Sequence, residues 1–178
     1  KVTTKQGVTY DAAVWESSDT SIATVDSKGK VTAKLPGSVV ITAKSYDGTA
    51  KSCTITITAD LYGISLPGSM TLAIGRSKIV TPTYDPYYAT NKKVTWRSSN
   101  SGVATVDSNG KVTAIATGTA VITATSQEGG YVAVCTVSVV RPVTSISINR
   151  SSYSLTMGEK TSVTLTATVN PSNATNKK

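Results

Sequence analysis

Along much of this chain, apolar and polar residues alternate one for one. The runs Cys53-Thr-Ile-Thr-Ile-Thr58 and Val163-Thr-Leu-Thr-Ala-Thr-Val169 are the clearest cases. A two-residue period puts alternate side chains on opposite faces of a strand, one buried and one wet. No helical period persists over three turns, and Val, Ile and Ala dominate the apolar set alongside abundant Thr and Ser. That mixture suits a pleated, half-buried surface, so the pattern predicts an all-β chain. Strands are expected over 12–17 (carrying Trp15), 22–25, 31–33, 39–44, 53–58, 63–66, 70–74 and 78–84. Turns are expected at Asp26–Gly29, Pro36-Gly37 and Asp47-Gly48. At the start, residues 1–4 read as the end of a strand and Lys5-Gln6-Gly7 as a turn. Short strands punctuated this densely by Gly, Pro and Asp describe a β-sandwich.

The chain also repeats itself. Residues 96–124, WRSSNSGVATVDSNGKVTAIATGTAVITA, match residues 15–43, WESSDTSIATVDSKGKVTAKLPGSVVITA, at 18 of 29 positions. A period of about 80 residues is too long for a solenoid unit and right for a small domain. The repeat divides the chain into the rear part of one domain (1–59), one whole domain (60–140) and the front part of another (141–178). In that last stretch Ile146, Ile148, Leu155 and Met157 reprise the front of the whole domain, and the match ends at Asn176-Lys-Lys178. The chain therefore reads as an excerpt of a longer array. The alternative is that the C-terminal strands of one subunit complete the N-terminal part of the next, head to tail, which without ring closure gives a filament.

Several motifs carry a family resemblance: Val94-Thr-Trp96, Ser98-Ser-Asn100, Val103-Ala-Thr-Val106, Asp107-Ser-Asn-Gly-Lys-Val112, Gly118-Thr-Ala-Val-Ile-Thr-Ala124 and Cys135-Thr-Val137. To these are added Pro171-Ser-Asn-Ala-Thr175 and its altered form Pro86-Tyr-Tyr-Ala-Thr90. With them the chain resembles the bacterial immunoglobulin-like domain, group 2, a module of intimin-like and other bacterial surface proteins and of some phage structural proteins. The resemblance implies tandem Ig-like β-sandwich domains, one complete and two partial, with neighbouring Ig-like domains of the same or adjacent subunits as partners. It places the chain outside the cell, on a bacterial surface or secreted, or alternatively on a virion. Residues 1–14 depart from the motif, and that loop reads as remodelled.

Physical chemistry assigns structural work to the repeated residues. Trp15 and Trp96 are expected at the head of a central strand, each filling the middle of an aliphatic sandwich. Cys53 and Cys135 share the face of Ile55 and Ile57, or of Val137 and Val139, and are expected as small buried core residues, neither disulfide-bonded nor metal-bound. Gly29 and Gly110 fall where a tight hairpin demands positive φ, and Gly37 and Gly118 play a similar turn role.

Chemistry is sparse by comparison. The chain has no His and ten acidic residues, most of them in turns, so the usual general base is missing and neither Cys has a His partner. No catalytic residue, cofactor or metal is assigned, and the chain is read as non-enzymatic. Asp107-Ser-Asn-Gly110 begins like a calcium loop but is too short and lacks the closing Glu; a hairpin turn is expected. The net charge is +8, yet the cations are scattered apart from Lys92-Lys93 and Lys177-Lys178, which gives nucleic acid no stripe to follow. No run of 18 apolar residues is present to span a membrane. One loop stands out: Tyr87 and Tyr88 occupy positions that hold Ser172 and Asn173 in the third stretch. The simpler reading is packing against the neighbouring domain. The other is a binding loop of Tyr87, Tyr88, Lys92 and Lys93, with a glycan, a cell-wall polyanion or a host surface protein as ligand.

Overall fold

The computed structural model describes residues 2–3, 9–10, 13–158 and 162–176. The Lys5-Gln6-Gly7 turn, most of the remodelled N-terminal loop, Lys177 and Lys178 lie outside them. All regular structure described is β. The strands are β1 (Val2–Thr3), β2 (Thr9–Tyr10), β3 (Val14–Ser17), β4 (Ala23–Val25), β5 (Val31–Ala33), β6 (Gly37–Lys44) and β7 (Ala50–Ile57). They continue with β8 (Gly63–Ser65), β9 (Ser69–Ala73), β10 (Ser77–Ile79), β11 (Thr83–Asp85), β12 (Val94–Ser98), β13 (Ala104–Val106) and β14 (Lys111–Ala114). Last come β15 (Gly118–Ser126), β16 (Val132–Val140), β17 (Ser145–Ile148) and β18 (Ala167–Asn170).

The chain forms two compact units. The first holds Lys1–Ile64, Thr83–Lys93 and Ser126–Tyr131; the second holds Ser65–Pro82, Val94–Thr125 and Val132–Lys178. In the second, the sheet β12-β15-β16-β9 faces the sheet β10-β14-β13. β15 and β16 are antiparallel with Ile122 opposite Cys135, while β9 runs parallel to β16 with Met70 opposite Val137. Between the sheets lie Ile122, Val112, Val137 and Cys135, all fully buried, with Leu72, Val80 and three alanines. The alternation read from sequence is realised here: Ala120, Ile122 and Ala124 point inward from β15 and their neighbours are partly exposed. The first unit repeats the scheme with the antiparallel sheet β3-β6-β7, the hairpin β4–β5 and a smaller core of Ala23, Val39 and Ile41.

Three expectations need correction. The single strand expected over 78–84 is two short strands in different sheets, β10 paired with β14 and β11 with β8. Between them lies Pro82, which has no N–H to give a ladder. The tryptophans are not central: β12 and β3 are the outer strands of their sheets, and both indoles are half-buried against the cores. Cys135 is fully buried as expected, but Cys53 is exposed. In the second unit Leu72 of β9 joins Cys135 in the core; among the described residues of the first unit, no strand pairs with the free side of β7.

Candidate functional site

The repeated motifs are absorbed by the backbone. In both repeats the Asp that opens the hairpin turn accepts two main-chain N–H groups on Oδ1: Lys28 and Lys30 on Asp26, Asn109 and Lys111 on Asp107, all within 2.8–2.9 Å. The carboxylate is thereby committed to the turn. Gly29 and Gly110 follow at φ +82° and +76°. Each also lies under an indole, for a Cβ there would sit 2.7 Å from Cζ2 of Trp15 or Trp96. The glycine is required twice, by conformation and by the ring packed on it. The calcium-like start at Asp107 is a hairpin.

The Ser-Ser pairs act alike. The first hydroxyl donates across the corner, Ser17 to the Ala23 carbonyl and Ser98 to the Ala104 carbonyl. The second accepts from the adjoining strand, Ser18 from Val40 N–H and Ser99 from Val121 N–H. Asp19 and Asn100 then cap the next turn through Ser21 N–H and Gly102 N–H. Hydrogen bonds from the Ser21 hydroxyl and then its N–H hold the Asp19 carboxyl below the ordinary carboxylate value, and the Ser45 hydroxyl and Thr49 N–H do the same for Asp47. Burial pushes the Cys135 thiol up. Among the described residues, no group of three or more His, Cys, Asp or Glu side chains could hold a metal ion.

What the backbone does not absorb is the loop after β11. Tyr87 is 77 % exposed and Tyr88 44 %, their rings 5.1 Å apart and edge to face. Lys92 holds its ammonium 5.7 Å from the Tyr84 ring centroid, and the Tyr84 hydroxyl donates to the Lys92 carbonyl. Lys93 binds through its backbone, N–H to Asn91 Oδ1 and carbonyl to Gln127 N–H, with its side chain exposed. The structure adds a residue that the sequence reading missed. Tyr62, 67 % exposed, donates its N–H to the Asp85 carbonyl, two residues before Tyr87. The signal was available, because the third stretch carries Thr144 at the position of Tyr62.

Paired sheets of short strands closing over aliphatic cores define an immunoglobulin-like β-sandwich protein. The chain belongs to the bacterial Ig-like domain (group 2) family, whose sequence model matches residues 1–55 and 65–137. It is 37% identical over 131 residues to an uncharacterized protein of Clostridium acetobutylicum, covering 72% of this chain and 14% of that protein. It is 35% identical over 138 residues to an Ig-like virion protein of Serratia phage KSP90, covering 74% of this chain and 54% of the virion protein. It thus spans only part of these relatives. A solved structure of surface layer protein SbsC, domains 4–9, is similar over 83% of this chain and 26% of that one, at 23% identity and a TM-score of 0.43.

Proposed function

We propose that this stretch is a non-catalytic spacer: serial Ig-like beads that set the reach of a bacterial surface protein or a phage fibre. The observation behind this reading is where the repeated residues go. The Asp, Ser, Gly and Trp common to both repeats each satisfy or cover backbone, so what the repetition preserves is a bead. The test is an in-register deletion of residues 60–141 from the polypeptide that carries them, joining Ala59 to Pro142. A spacer predicts retained surface display or virion assembly with a shorter reach by electron microscopy. Loss of a binding or catalytic activity at unchanged reach would reject it.

A second reading is favoured by the tyrosines. Positions 62, 87 and 88 are all Tyr in the second repeat and Thr144, Ser172 and Asn173 in the third stretch, on the same backbone hydrogen bonds. The fold does not require three exposed phenols there. Exposed tyrosines offer rigid contact area at low entropic cost, and a glycan or a surface protein of the host would use it. Replacing all three by their third-stretch counterparts should leave melting unchanged and reduce glycan-array or cell binding; undiminished binding would remove this reading.

Assembly is the third point. Ile148, Leu155 and Met157 are exposed, whereas Leu66, Leu72 and Ile74 at the corresponding places of the second repeat pack in or against its core. Strands of a neighbouring repeat, from the same chain or an adjacent copy, would cover them. Sedimentation across concentration separates the two: growth of head-to-tail oligomers supports completion between copies, and a monomer at all concentrations excludes it.

A further inference from the structure

The segments that leave β7 and β16 are held in the same way, residue for residue. Ala59 N–H donates to Thr90 Oγ1 at 2.8 Å, and the Ala59 carbonyl accepts from Thr90 N–H at 2.9 Å. At the corresponding place, Arg141 N–H donates to Thr175 Oγ1 at 2.8 Å, and its carbonyl accepts from Thr175 N–H at 2.8 Å. Three residues further along, Tyr62 N–H donates to the Asp85 carbonyl at 2.7 Å and Thr144 N–H to the Asn170 carbonyl at 2.8 Å. The second repeat adds Leu61 N–H to Glu128 Oε1 at 3.0 Å, with the Leu61 side chain buried.

The threonines belong to the two Pro-x-x-Ala-Thr loops. Each loop is braced internally by the Ala N–H donating to the Pro carbonyl, Ala89 to Pro86 and Ala174 to Pro171, with both alanine methyls buried. A braced loop presents its Thr at a fixed place. The Thr then uses its hydroxyl as acceptor and its N–H as donor, closing a reciprocal pair on one linker residue.

Every contact made on the linker at these points is to main chain. The residue gripped is Ala in one case and Arg in the other, and the geometry agrees to within about 0.1 Å across the paired bonds. We propose that the Pro-x-x-Ala-Thr loop is a backbone-reading socket for the exit segment of the preceding repeat. It fixes how the linker enters the bead that follows, whatever side chain the linker carries. A Gly/Ser linker is a flexible coil; this one has its amides at 59, 61 and 62 satisfied in sequence. The proposal deepens the spacer reading by naming the part that would stiffen each joint, and it rests on that reading only for its biological purpose.

The test is amide hydrogen exchange by NMR on the full 178-residue chain. Thr90→Val keeps the branch and the N–H but removes the acceptor. Loss of one hydrogen bond of ordinary strength predicts roughly fivefold faster exchange at Ala59, with core amides such as Ile122 unchanged. Thr90→Ser should restore protection. Ala59→Arg, which imports the residue of the other joint, should exchange as the parent does. Unchanged protection at Ala59 in Thr90→Val would overturn the socket, and faster exchange in Ala59→Arg would overturn its indifference to side chain. If Thr90→Val disturbs the core amides, Ala59→Pro supplies the second measurement. It removes the donor from the linker side and should speed exchange at Leu61 and Tyr62; no effect there overturns the proposal. Exchange reads the joint itself and the deletion reads reach, so the two proposals fail separately.

Discussion

Replacing Gly110 by Ala tests the packing of the indole on the turn, and Gly75 supplies the control within the same unit. The two glycines have nearly the same backbone, φ +76° and +78°. A Cβ at Gly75 meets nothing within 4 Å, whereas one at Gly110 would lie 2.5 Å from the Val80 carbonyl oxygen and 2.7 Å from Trp96 Cζ2. Left-handed backbone costs a residue with a Cβ about 1–2 kcal/mol, offset by roughly 0.4–1 kcal/mol because Ala restricts the unfolded chain. Gly75→Ala should therefore lose about 1 kcal/mol or less.

Gly110→Ala bears the same conformational cost and must also make room. Val80 N–H donates to the Gly110 carbonyl at 2.9 Å, so turn and strand cannot separate without giving up that bond. Overpacking of this kind costs about 1–3 kcal/mol, which brings the total to about 3 kcal/mol. For a unit of this size that is a fall of roughly 15 °C in Tm, against roughly 5 °C for Gly75→Ala. Circular dichroism melts report the backbone, and tryptophan fluorescence reports the second unit through Trp96 on a Trp15→Phe background. A double mutant refines the assignment. Trp96→Ala removes the ring contact but not the carbonyl contact, so Gly110→Ala should cost less on that background, though not nothing. Equal losses for Gly75→Ala and Gly110→Ala would refute the argument, since conformation alone would then account for both.

Trp96→Ala by itself should cost about 3 kcal/mol, the low end for a large aromatic because the indole is only half-buried; urea denaturation measures it. Native protein should react with one equivalent of a thiol reagent per chain, at exposed Cys53, and release the second thiol, Cys135, only on unfolding. Burial raises the Cys135 pKa above its ordinary 9.0. Its contribution to stability is therefore complete below about pH 9 and lost as pH rises through the folded value, a loss that Cys135→Ala should abolish in alkaline melts. Asp19 and Asp47 are depressed below 3.8. The stability they lend is present above that pH and lost as pH falls through their folded values, and Asp19→Asn together with Asp47→Asn should flatten the acid limb of a pH–Tm curve.

The all-β class, the sandwich and the repeat were legible because they rest on local facts: a two-residue period, turn residues at fixed offsets, and 18 identities in 29 positions between residues 15–43 and 96–124. Sheet order was not. Nothing local says that β12 is an outer strand or that β9 runs parallel to β16, because pairing is decided between segments far apart in sequence. Misplacing the tryptophans followed directly. A large aromatic suggests a centre, yet here it closes an edge over a glycine turn. Cys53 shows the same limit from the other side, for its strand face was read correctly while its cover was not.

The internal repeat offers a way to separate function from fold without any other sequence. Where the two copies agree outside their apolar cores, the residue serves the backbone: the Asp26 and Asp107 carboxylates, the paired serines, the glycines under the indoles, Thr90 and Thr175. Each of these would be costly to change for reasons of folding alone. Where the copies differ on the same hydrogen-bonded frame, the fold is indifferent, and the difference is free to serve something else. Ala59 and Arg141 differ inside identical sockets, which is why a socket that reads only main chain is the reading that fits. Tyr62, Tyr87 and Tyr88 differ from Thr144, Ser172 and Asn173 around the same loop, and there the change is toward exposed aromatic surface, which water disfavours and folding does not demand. On the spacer reading proposed above, beads alike at their joints and different beside them follow one another in series while each displays its own face.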